Sequence, residues 1–349
     1  MAQARAAAVR AALLVLLELL VRTAVALPAE VRGRQVYIGG NPLHAKGVNW
    51  NPVPAGGKHP ENVSFASFVE KDALLMQQAG INVLRTYEPL NDTKVLDVLW
   101  AHGIQVISTV WAKADKTMEY VERQVTMVKD HPGILMWSVG NEWNYNGCYM
   151  NLPYWDCLAK VRQVIQLVKR LDNNRHPVAT VYGELPKPHE LAALPDVDVW
   201  GINYYNELTF SDLFDRWEVL SSAPMFLGEY GADAYDALSN RLDVGAQAHA
   251  TSVLTQQIME HSSVTGGVCF GGLIFELTDE WWKDGNGSPD VHDVGGVAPG
   301  GGPHPDRVFN EEWWGLLEVD RTPRPAYHAY AAVPVPQPRA WAAAEAAGA

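Results

Sequence analysis

Cysteine is scarce in this chain, with three in 349 residues, and their spacing matches no zinc-type cluster. Positive charge is in deficit. Lys and Arg total 27 against 40 Asp and Glu, a formal net charge of −13. So acidic a chain repels phosphate backbones and anionic bilayers, which argues against a nucleic-acid partner or a membrane surface and favours a neutral substrate. Charged residues of both signs reach only 19%, while hydrophobic ones reach 48%. That balance supplies a full-sized core and argues against disorder over most of the chain. Beyond the N-terminal segment no apolar run is long enough to suggest a transmembrane helix.

The N-terminus reads as a secretory signal peptide over 1–26, with an uncleaved membrane anchor as the alternative. Arg5 and Arg10 begin it, the run AALLVLLELLV follows with Glu18 inside it, and Ala24-Val25-Ala26 supplies small residues for cleavage. The expected location is secreted, at a cell wall or otherwise extracellular, with no membrane attachment after cleavage. In that compartment Cys148 and Cys157 could pair or stay free, and Cys269, inside GGVCFGGLIF, reads as a buried hydrophobe. Asn62-Val63-Ser64 and Asn91-Asp92-Thr93 are glycosylation sequons.

From residue 27 onward a short hairpin with Gly39-Gly40 at its turn precedes a regular alternation of apolar runs and helix-length amphipathic stretches. The runs lie near 45–50, 81–87, 104–111, 134–141, 177–182, 197–205, 224–229 and 268–276. Such alternation implies a parallel sheet, and eight units imply an α/β (β/α)8 TIM barrel over 27–335 with a short N-terminal hairpin. The segment 283–310, rich in Gly, Pro, Asp and His, reads as a long loop after the eighth strand and so on the catalytic face. The Pro- and Ala-rich end, 336–349, reads as a disordered tail.

Two apolar strands end in Gly and then Glu. In ILMWSVGNEWNYN, Gly140-Asn141-Glu142 closes the fourth strand; in APMFLGEYGADAY, Gly228-Glu229 closes the seventh. Carboxylates at strand ends project into the mouth of a barrel, where two of them can flank a glycosidic bond.

Both motifs resemble those of clan A glycoside hydrolases, WSVGNEWN the acid/base and FLGEYGAD the nucleophile. The resemblance is nearest to the catalytic barrel of glycoside hydrolase family 2, and more distant to family 5 and the β-1,3-glucanosyltransferases. It spans roughly the whole chain after the signal segment. It implies a retaining β-glycosidase that needs no cofactor or metal and takes a carbohydrate substrate, with Glu142 as acid/base and Glu229 as nucleophile. It further implies that Arg85 in INVLRTY holds Glu229 ionised, that Asn141 bonds the sugar 2-hydroxyl, and that Tyr205 in GINYYNE bonds the nucleophile, with Tyr204 in its place if a bulge shifts the register. Trp281 or its neighbour Trp282 would floor the sugar site, with Trp50 and Trp143 as further substrate-binding aromatics. Asp279 and Glu280 read as structural carboxylates, and the polar run holding Asp290, His292 and Asp293, with His304 downstream, as a flexible loop rather than a metal site.

The pattern departs from family 2 in one respect. About 20 residues separate the expected cleavage point from the first barrel strand, too few for the β-sandwich domains that family carries there. A standalone barrel rich in aromatics leads to the expectation of a β-linked polysaccharide or oligosaccharide, a β-glucan or β-mannan. Two alternatives use the same framework, a β-glucan transglycosylase and an inactive carbohydrate-binding wall protein.

Overall fold

The computed structural model describes residues 28–284, 288, 294–297 and 301–338. The leader expected over 1–26 and the tail from 339 onward lie outside the described residues.

Three short strands come first, β1 (Ala29–Arg32), β2 (Gln35–Ile38) and β3 (Asn41–Leu43), in an antiparallel sheet ordered β1-β2-β3. The expected hairpin is β2–β3, with Gly39 and Gly40 both at positive φ in its turn; β1 adds a third strand. Next come β4 (Ala45–Asn49), β5 (Val83–Arg85), β6 (Gln105–Trp111), β7 (Ile134–Asn141), β8 (Val178–Tyr182), β9 (Val199–Asn203) and β10 (Met225–Tyr230). After a small hairpin, β11 (Tyr235–Asp236) with β12 (Arg241–Leu242), the chain enters β13 (Cys269–Ile274). β4 through β10 pair in chain order, and β13 closes the circle between β10 and β4, all in parallel. The result is the (β/α)8 barrel expected.

Every residue of these eight strands is buried. That is why they read as continuous apolar runs rather than alternating ones. Inside the barrel, Val83, Ile107, Leu135, Phe226, Phe270 and Leu273 pack into one cluster that Ala29 and Val36 cap from the β1–β3 sheet. The N-terminal sheet therefore plugs one end. Close packing in the interior requires Gly47, since a Cβ there would lie 2.1 Å from a Leu273 methyl carbon. Helices form the outer layer. In Tyr154–Asp172, Cys157, Leu158, Val161, Val164, Ile165 and Val168 turn inward at helical spacing. The final helix, Pro325–Ala332, reaches back to β4 through the Tyr330 hydroxyl, which donates to the Gly47 carbonyl at 2.7 Å.

The open end of the barrel carries the irregularities. Register shifts fall between Ser138 and Asn141 in β7 and between Leu227 and Glu229 in β10. Bulges of this kind re-aim side chains, and here they occur just where the two Glu residues emerge.

Candidate active site

β5, β7, β9 and β10 deliver the central side chains. Arg85 is the last residue of β5 and is fully buried. Its Nη1 lies 3.4 Å from Glu229 Oε1, and its Nη2 donates to Asn141 Oδ1 at 2.8 Å. Glu229 also accepts from the Tyr87 hydroxyl at 2.6 Å on Oε1 and from the Tyr205 hydroxyl at 3.1 Å on Oε2. Asn141 holds its place by accepting from Asn203 Nδ2 at 3.4 Å and donating to the Tyr149 hydroxyl at 3.2 Å. Arg85, Asn141 and Tyr205, expected around the two carboxylates, meet there. Tyr205 takes the inward place and Tyr204 does not.

Tyr87 escaped the sequence reading, although its signal was present. It lies two residues beyond Arg85, and strand alternation puts both on one face. The Arg85 guanidinium carbon sits 4.8 Å from the Tyr87 ring centroid, a cation–π contact that sets the phenol's direction.

The two carboxylates differ in environment. Glu229 collects an arginine and two phenols. Burial, then the negative charge of Glu229, pushes the Tyr87 and Tyr205 phenols well above their ordinary range, so both remain donors. Glu142 follows β7 in a left-handed conformation, φ 46°, and begins the short helix Trp143–Asn146. Burial, then the charge of Glu229, pushes its pKa up to about 7. One carboxylate is surrounded by donors, while the other is pushed toward holding its proton near neutrality.

Both line a cavity of about 950 Å³, with Tyr87, Asn141 and Tyr205 deep in it and Phe275, Trp282, Phe309 and Trp314 among its aromatic walls. Three expected aromatics are absent from those walls. Trp50 is fully buried on the helix side, its Nε1 donating to Asp72 at 2.9 Å. Asn49 precedes it facing inward, so alternation turns Trp50 outward. Trp143 is buried against Tyr154 and Tyr182 and donates to Thr180 Oγ1 at 3.0 Å. Trp281 stays outside the lining, and Trp282 takes the wall position, stacked on His59 at 5.0 Å. Asp279 is structural as expected, bound by Arg324 at 2.5 and 2.6 Å. Glu280, by contrast, faces the cavity.

The segment 283–310 is less irregular than its composition suggests. β14 (Val294–Val297) pairs with β15 (Val308–Asn310), and Lys283 and Phe309 line the cavity. The Tyr205 ring packs on Phe309 of this segment at 5.2 Å and on Trp314 just beyond it at 5.2 Å, so the segment helps support a residue that bonds Glu229. Asp290, His292 and Asp293 lie outside the described residues. Among those described, no group of His, Cys, Asp or Glu is placed to hold a metal ion, and no helix is long and apolar enough to cross a membrane. Cys148 and Cys157 form a disulfide, while Cys269 is free and buried.

Fold and site together define a (β/α)8 barrel with two unlike carboxylates at its mouth. Residues 109–244, which include both, match the family model described as "Glycosyl hydrolases family 2, TIM barrel domain". The chain is 24% identical to a β-galactosidase of Aeromonas hydrophila subsp. hydrophila over 335 residues, covering 85% of this chain and 27% of that protein. It is 28% identical to a β-glucuronidase of Sus scrofa over 232 residues, 58% of this chain and 33% of that one. The chain thus spans about a third or less of these curated relatives. The β-D-glucuronidase structure of Dictyoglomus thermophilum superposes with a TM-score of 0.62 at 19% identity, over 88% of this chain and 54% of that one. The structure of a Bacteroides uniformis β-glucuronidase gives 0.63 at 18%, over 87% and 37%. Residues 109–244 are thus similar to the family 2 barrel domain, and the solved neighbours share the fold.

Proposed function

We propose that this chain is a retaining β-glycosidase in which Glu229 is the nucleophile and Glu142 the acid/base. The observation that carries the reading is the asymmetry of the pair, with Glu229 held by three donors and Glu142 buried, its pKa pushed up to about 7. In the first step a Glu229 oxygen bonds to the anomeric carbon as the glycosidic bond breaks, and the Glu142 proton passes to the leaving oxygen. In the second, water attacks that carbon, Glu142 takes its proton, and the bond to Glu229 breaks. In this reading Asn141, anchored on its oxygen side by Arg85, bonds the sugar 2-hydroxyl. The substrate is a β-linked oligosaccharide or polysaccharide, and the disulfide supports passage through an oxidising, secretory compartment.

Azide rescue tests the roles. Glu142→Ala should lose about 10²–10⁴-fold or more on unactivated glycosides, keep its glycosylation step on aryl glycosides with good leaving groups, and turn over faster with azide to give a β-glycosyl azide. Glu229→Ala should be inert to such substrates unless azide fills the nucleophile's place, and the product should then be the α-azide. The opposite pairing of mutant and product stereochemistry would reverse the two roles.

A further inference from the structure

One side of the cleft carries charged groups that the two-step chemistry does not use. Lys283 Nζ lies 2.8 Å from Glu280 and 2.9 Å from Glu311, and all three line the cavity. Beneath them Glu276 is fully buried. Burial, then the negative charge of Glu280, raises its carboxyl well above the ordinary range. Asn51, 5% exposed and also on the cavity wall, donates to Glu280 Oε1 at 2.9 Å. Its own Oδ1 meets no donor among the described residues. A buried amide oxygen at a cavity wall is an acceptor that a ligand hydroxyl would satisfy.

The cluster is close to the reacting centre. The Phe275 ring sits edge-on to Tyr87, which bonds Glu229, at 6.2 Å between centroids, and Lys283 Nζ lies 4.8 Å from the Phe275 centroid. Glu311 also adds to the negative field at Glu142. One aromatic ring thus links the group to the Tyr87 that holds Glu229, within the same cavity.

We propose that Asn51, Glu280, Lys283 and Glu311 form the sugar-recognition wall of this cleft and select an uncharged glycone over a uronic acid. The inference rests on the glycosidase reading above and names its substrate class. Two carboxylates against one ammonium leave the wall net negative, rich in acceptors for sugar hydroxyls, and hostile to a ligand carboxylate. Among the described residues around the cavity, each other cation has a carboxylate partner. Arg85 is committed to Glu229 and Asn141, and Lys113 and Lys116, further along the cleft, both pair with Asp115 at 3.5 and 3.8 Å. The chain would thus part from those relatives whose names denote action on uronides.

The test measures kcat/KM on 4-nitrophenyl β-galactoside, β-glucoside and β-mannoside against β-glucuronide and β-galacturonide. Alongside it, calorimetry measures Kd for a neutral iminosugar and for its 6-carboxylate counterpart. Neutral ligands should be favoured by about 100-fold or more in both assays. Glu311→Gln, a change at a partly exposed side chain that leaves Lys283 less neutralised, should narrow the preference about tenfold, chiefly by improving the carboxylate ligand. Equal or better binding of the carboxylate iminosugar, binding of neither, or an unchanged ratio in Glu311→Gln would each overturn the proposal. Iminosugar binding requires no turnover. A protein that binds the neutral iminosugar selectively yet hydrolyses nothing would defeat the mechanism and leave the recognition wall standing.

Discussion

Arg85 and Arg324 are both buried and both face a carboxylate, but they hold it differently. Arg324 grips Asp279 with two short contacts, 2.5 and 2.6 Å, and also donates to the Gly315 carbonyl at 3.0 Å. Arg321 does the same for Asp72 at 2.9 and 3.1 Å. These forks tie the chain after β13 to the helix layer. Arg85 instead touches Glu229 with one long contact at 3.4 Å and spends its better hydrogen bond on Asn141. A bidentate fork would satisfy both oxygens of a carboxylate and fix it. The looser contact supplies positive charge while the phenols of Tyr87 and Tyr205 donate to one oxygen each, so three donors hold Glu229 at the cavity wall. The same residue pair serves stability where it is fully engaged and chemistry where it is not.

Mutations at the two kinds of pair should separate cleanly. The largest effect falls on activity. Glu229→Ala should lose more than the roughly 10²–10⁴-fold that proton transfer alone supplies, with thermal unfolding little changed. A fall in melting temperature as large as that of an Arg324 mutant would erase the distinction. Next, Arg324→Ala leaves Asp279 buried without its partner and should cost about 3–5 kcal/mol in denaturant unfolding. Its kcat/KM per folded molecule should stay near that of the unmodified chain, and a selective loss of kcat would show that the fork also shapes the site. Tyr87→Phe removes one donor to a charged group, about 1.5–3 kcal/mol, and so roughly 10–10²-fold in kcat/KM. Tyr205→Phe, which loses a longer bond, should fall less. If the order is reversed, Tyr205 is the main orienter of Glu229.

The smallest effect is in the pH profile. The pKa of Glu142 is raised to about 7 and the group must be protonated to act as acid. Activity on unactivated substrates should therefore be full below that value and fall about tenfold per unit above it. Glu142→Ala, assayed on an activated aryl glycoside, should show no such alkaline limb. Its persistence would assign the limb to another group.

Parts of this site were legible because they obey short-range rules. An apolar run that ends in Gly and Glu marks a strand whose last side chain leaves the core, so Glu142 and Glu229 stood out. The eight strands read correctly because each is buried on both faces and bounded by polar helix faces. Period-two alternation also carried Tyr87 and the outward turn of Trp50, had it been applied through the strand ends. Trp143 could not be read this way. It sits past a left-handed Glu142, where the strand period no longer applies.

By itself, then, the amino-acid order determined the barrel, the identity of the two carboxylates and the strands that bear them, since hydrophobic period and strand-end position are local properties of a chain. Tertiary structure alone decided that Glu142 is the carboxylate whose pKa is pushed up to about 7, which tryptophan reaches the cleft, and that Glu280, Lys283 and Glu311 meet on its wall. Each of those outcomes depends on burial and on charges brought close from segments far apart in sequence, and a pKa or a cavity wall is a property of that assembled field rather than of any one segment.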